Sequence, residues 1–112
     1  MVTIADGVEH MNINNLADKY YLSNDFSTLA DKTKVDYQYC SGILLATKVD
    51  GKCMAEIRLT KMSGAIARRA YENWLGRGVY LANAVTAVAR KMYSFGMEMG
   101  YAETNPFSTF KR

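Results

Sequence analysis

Between Val79 and Met99 the apolar residues Leu81, Val85, Val88, Met92, Phe95 and Met99 recur in steps that alternate between four and three. That spacing puts all six on one stripe of an α-helix and does not fit a strand, whose faces alternate every second residue. It predicts a long helix from Val79 or Tyr80 to Met99, with Gly100 as its stop. A long helix with a single apolar stripe must be covered by other elements.

The rest of the chain supplies three candidates. Leu16, Tyr20 and Tyr21 predict a first helix between Asn14 and Asn24, after which Phe26 and Leu29 pin a short connection against the core. Asp31 and Thr33 are both N-cap types, and Thr33-Lys34-Val35-Asp36 fits a variant of the capping box. The second helix that follows carries Tyr37, Cys40, Leu44 and Leu45 on one side and ends before the turn signal Asp50-Gly51. Lys52 to Leu59 reads as a loop with a short extended piece at Met54–Ile57. Thr60 is a cap for a third helix reaching Arg77, with Ile66, Ala70, Trp74 and Leu75 inward. Gly76 and Gly78 end that helix through left-handed geometry. The expected fold is all-α, a compact four-helix bundle behind a flexible leader at residues 1–13.

Composition narrows the functional classes. With 112 residues, 49% of them hydrophobic, the chain has the size and core of one domain. No apolar run is long enough to span a membrane, and the N-terminus lacks the pattern of a secretory signal. Cys40 and Cys53 are too few for a zinc knuckle or a disulfide framework, as suits a cytoplasmic protein. His10 is the single histidine, and no Gly-rich phosphate loop, carboxylate pair or nucleophile–base pair can be assembled. Neither cofactor, metal nor small-molecule substrate is therefore expected, and no catalytic residue stands out. Charge is unevenly spread: residues 1–31 hold five acids against Lys19, whereas residues 32–112 hold thirteen bases against six acids. A basic segment behind an acidic leader suggests an anionic partner.

Several positions could meet nucleic acid. Lys32, Thr33 and Lys34 stand at a helix N-terminus, where free amides and flanking lysines favour phosphate; capping and solubility alone would also explain them. Asn83, Thr86, Arg90 and Ser94 form a polar stripe opposite the fourth-helix seam, with Lys91 beside it. Arg can grip guanine and Asn adenine, although a solvated face would look the same. Arg68 and Arg69 could reach a phosphate backbone, and Arg68 could equally pair with Glu72 one turn on. Tyr37, Trp74 and the methionines read as core.

Taken together, Lys32-Thr33-x-x-x-Tyr37, Ile57-x-Leu59-Thr60, Ala70-Tyr71-x-x-Trp74, Arg77-Gly78, Ala82-Asn83, Gly100 and Asn105-Pro106-Phe107 resemble the core-binding domain of phage integrases, the tyrosine recombinases. The resemblance spans roughly residues 14–110. It implies a SAM-like four-helix domain that grips the core recombination site, while a separate catalytic domain cleaves and rejoins the strands without a divalent metal. Lys111-Arg112 would then begin the linker to that domain. The family's DNA contacts, carried over, fall on Lys32, Thr33, Lys34, Arg77, Asn83, Thr86, Arg90 and Lys91. The acidic leader departs from the pattern, being too short and too acidic for an arm-site-binding domain.

The expected activity is thus non-catalytic binding of double-stranded DNA, alongside other integrase subunits in a full-length enzyme. Arg90 should matter more to it than Arg58 in the interhelical loop. A helical protein-interaction module is the alternative. A helix-turn-helix regulator fits less well, because the connection between the second and third helices is too long.

Overall fold

A computed structural model describes residues 10–108; the outer leader and Lys111-Arg112 lie outside the described residues. The chain forms α1 (Ile13–Tyr21), a single-turn α2 (Asn24–Ser27) and α3 (Asp31–Ala46). A minimal hairpin follows, β1 (Lys48–Val49) and β2 (Lys52–Cys53), then 3-10 turns at Met54–Glu56 and Leu59–Lys61. The last helices are α4 (Gly64–Leu75) and α5 (Val79–Glu98), before a closing 3-10 turn at Pro106–Ser108. The architecture is all-α, four helices of two turns or more around one core, with a short extended piece.

α5 is the axis of the bundle. It packs against α1, α3, α4 and the closing turn, because its buried face is wide: Ala82, Val85, Thr86, Val88, Ala89, Met92, Tyr93, Phe95 and Gly96 are all covered. The predicted seam therefore holds from Val85 to Phe95, but Met99 is 53% exposed. The chain turns away just beyond it, at Gly100 with φ +81. At Gly96 a β-carbon would stand 3.1 Å from Leu16 Cδ1, so the missing side chain lets α1 approach α5 closely. Trp74, Tyr20, Tyr93 and Phe107 are the largest fully buried side chains, each worth about 2–3 kcal/mol by removal of apolar surface from water.

Order starts earlier than periodicity suggests. Asn12 caps α1, its side chain accepting from Asn15 N at 2.8 Å while Asn15 Oδ1 accepts from Asn12 N at 3.0 Å. The same stretch pairs with the interhelical segment, through Ile13 N to Ile57 O and Leu59 N to Met11 O. Ile13 is fully buried, so residues 11–13 belong to the fold rather than to a leader.

Other boundaries move for identifiable reasons. α3 begins at Asp31 with Ala30 as an N-cap that makes no side-chain bond, so Thr33 lies inside the first turn and caps nothing. α4 begins after Ser63, whose hydroxyl accepts from Ile66 N at 3.2 Å. Thr60 is instead held in the 3-10 turn, where Leu59 and Met62 must both be buried. The inward residues of α4 are Ala67, Ala70, Tyr71 and Trp74; Ile66 is half-buried and Leu75 is 39% exposed. Of the two glycines after α4, only Gly78 is left-handed, at φ +123, while Gly76 continues the helical geometry. The extended piece lies at residues 48–53 around Asp50 and Gly51, both with positive φ, which suits a tight two-residue hairpin turn. Met54–Glu56, expected to be extended, is a 3-10 turn.

Candidate nucleic-acid interface

Among the α-helices, three start under a side-chain cap: Asn12 for α1, Ser23 for α2 and Ser63 for α4. α3 and α5 start without one, behind Ala30 and Gly78. An uncapped N-terminus leaves backbone N–H groups for solvent or an anion, at the positive end of the helix dipole. These two helices carry most of the sequence-derived contacts; Arg68 and Arg69 lie on the capped α4.

At the start of α3, Lys32 is exposed and Thr33 and Lys34 are half-buried. Lys34 Nζ stands 6.0 Å from the centre of the Phe26 ring, the outer limit of a cation–π contact. Asp31 in this turn and Asp36 in the next reduce its positive field. At the start of α5, Arg77 and Gly78 are exposed and Tyr80 is 86% exposed. Sequence reasoning passed over Tyr80. Its signal was position, one residue off the seam in the first turn of a helix expected to face DNA.

Along α5 the polar stripe is only partly at the surface. Asn83 is exposed, with Oδ1 accepting from Tyr71 OH at 2.9 Å. That bond holds the amide through its oxygen on an otherwise exposed side chain. Thr86, expected on the stripe, is fully buried with its hydroxyl unpartnered. α5 is covered by α1, α3, α4 and the closing turn, so its solvent arc is narrower than a helix with one buried stripe would allow. Thr86 cannot touch DNA.

Further along, Arg90 is half-buried and Lys91 and Ser94 are exposed. Asn105 Nδ2 donates to Arg90 O at 3.0 Å and to Ser94 Oγ at 3.2 Å. Asn105 Oδ1 accepts from Phe107 N at 3.2 Å, and Phe107 packs under Tyr93 at 5.8 Å between ring centres. The Asn-Pro-Phe motif is thus a latch on the flank of α5. Ser94 serves the latch, and Lys91 is an exposed cation on this half of the helix.

No protein-family model matches this chain, and no curated protein or solved structure matches it.

Two arginines of α4 already face carboxylates. Arg68 Nε meets Glu72 Oε2 at 3.2 Å and Arg69 meets Asp50 at 2.8 Å, both pairs about half exposed. Such pairs are weak and open to exchange with another anion, but their charge is offset in the free protein. Arg77 lines one end of a groove of about 710 Å³ between α3 and α4, with Tyr39, Ile43, Trp74 and Lys48.

The shifted titrations run one way. Burial raises Tyr20 to about 12 and raises Tyr21, Tyr93 and Cys40 as well, which holds these groups protonated. An activated nucleophile needs the opposite shift. Among the described residues no three His, Cys, Asp or Glu side chains gather as a metal site, and no helix is long and apolar enough to cross a membrane.

Proposed function

We propose that this chain is the non-catalytic, core-binding domain of a phage or prophage tyrosine recombinase, gripping double-stranded DNA in the cytoplasm of a bacterial host. The observation that carries the reading is the coincidence of uncapped helix starts with cations. α3 offers its amides beside Lys32 and Lys34, and α5 offers its own beside Arg77. Phosphates satisfy both the amides and the cations. Asn83, fixed by Tyr71, and Lys91 continue the surface along α5. The SAM-like bundle, the partner integrase subunits and the strand cleavage by a separate domain come with the family resemblance.

The test is an anisotropy titration of a labelled duplex carrying an integrase core site, repeated across salt concentrations. Affinity should fall linearly on logarithmic axes, with a slope near −0.9 for each phosphate neutralised. Reversal of charge at Lys32 and Arg77 should flatten that slope by about two phosphates. Salt-independent binding, or a slope untouched by the substitutions, sinks the reading.

A second reading, a helical protein-interaction module, draws on the exposed Val35 and Tyr39 of α3, at 64% and 61%. A helix that is apolar beyond its buried face has surface to offer a protein. A tight protein complex that survives high salt, with no affinity for DNA, would favour it.

A further inference from the structure

The cations of the hairpin region form a second basic cluster, at the far end of α3 from Lys32. α3 has 16 residues, or about 24 Å at the standard rise, and the hairpin follows its far end from Lys32. There a groove of about 580 Å³ is floored by Val49, Ile57 and Ile66 and edged by Lys52, Arg58 and Lys61. All three cations are exposed, and none makes an ion pair among the described residues. The lining also holds two carboxylates. Asp50 is engaged by Arg69 at 2.8 Å, which leaves Glu56 to offset three positive charges.

We propose that this groove docks an acidic peptide segment of a partner protein. Its carboxylates would lie on Lys52, Arg58 and Lys61, and its apolar side chains on the floor between them. Charge complementarity selects an anion, and the floor selects one that also carries apolar groups. An apolar centre within a charged rim is how protein interfaces are built. A nucleic-acid backbone would use the rim alone. The site shares no residue with the surface proposed for DNA, although Lys48 of β1, next to it, lines the groove that holds Arg77.

The experiment uses a short fluorescent peptide in which glutamate alternates with leucine, and its counterpart with glutamine for glutamate. The glutamate peptide should bind the full chain, and the glutamine peptide should bind about tenfold more weakly. Arg58→Glu with Lys61→Glu should lower glutamate-peptide affinity by about tenfold, while Lys32→Glu leaves it unchanged. Far-UV circular dichroism checks that the double variant is folded, and Lys52→Glu alone gives an independent reading. Equal affinity for the two peptides overturns the proposal, as does undiminished binding by both groove variants. If the double variant loses duplex DNA and not the peptide, the groove belongs to nucleic acid and the proposal fails.

Discussion

The indole Nε1 of Trp74 donates a 2.8 Å hydrogen bond to the hydroxyl of Thr47, joining α4 to the last turn of α3. Thr47 Oγ1 in turn donates a hydrogen bond to Ile43 O at 2.7 Å, so one hydroxyl satisfies a buried donor and a helix-end acceptor. Thr47→Val keeps the shape and removes both bonds. The expected loss is about 1–3 kcal/mol, the cost of an unsatisfied buried N–H, read as a lower urea midpoint. Trp74 is the single tryptophan, so its emission should shift in the same variant. An unchanged midpoint would show that the indole finds another acceptor.

Thr86→Val should act in the opposite direction. The hydroxyl is buried and unpartnered, and the β-branched shape is kept. Stability is expected to rise by about 1 kcal/mol, with DNA affinity unchanged. Weaker DNA binding by a stable Thr86→Val protein would return this residue to the interface.

Loss of the latch should be felt at α5. Asn105→Ala removes both donations to the helix and the acceptor for Phe107 N. The expected cost is about 1–3 kcal/mol, measured by thermal or urea unfolding. A neutral result would mean that Phe107 packing alone seats the segment.

Alkali should destabilise the fold through its phenols. Burial, with smaller contributions from Tyr37, Asp25 and Tyr21, raises Tyr20 from 10.0 to about 12, and burial raises Tyr93 in the same sense. Between those values the unfolded chain has lost protons that the folded chain keeps, so stability falls as pH rises. The urea midpoint should hold steady to about pH 9 and decline from about pH 10 upward. Tyr20→Phe should soften the decline; an identical pH profile would remove Tyr20 as its source.

The long seam of α5 was legible because six residues repeat one step pattern without a break. Its width was not: a seam marks one buried stripe and says nothing of how many neighbours wrap the helix, which is how Thr86 came to be placed outside. Thr33 carried a cap signature, yet α3 starts earlier, at Asp31 behind Ala30 and without a side-chain cap, because tertiary packing can set a helix start without one. Lys48–Val49 and Lys52–Cys53 are too short to show any period, so only their Asp50-Gly51 turn could be read. Arg58 reads in the sequence only as an interhelical-loop residue, because the groove it edges with Lys61 forms only when Ile57 and Ile66 come together in the fold.

The pairing of Asn12 with Arg58 bears on the order of assembly. α1 is first in the chain, but its cap segment is held by residues that follow α3 and the hairpin. Closing so large a loop costs entropy that local helix contacts do not. Hydrogen exchange during refolding should therefore protect the amides of α4 and α5 before that of Ile13, and protection of Ile13 first would reverse the sequence of events. A fold that seats residues 11–13 last would stay sensitive, while it forms, to changes in the Ile57–Leu59 segment that receives them.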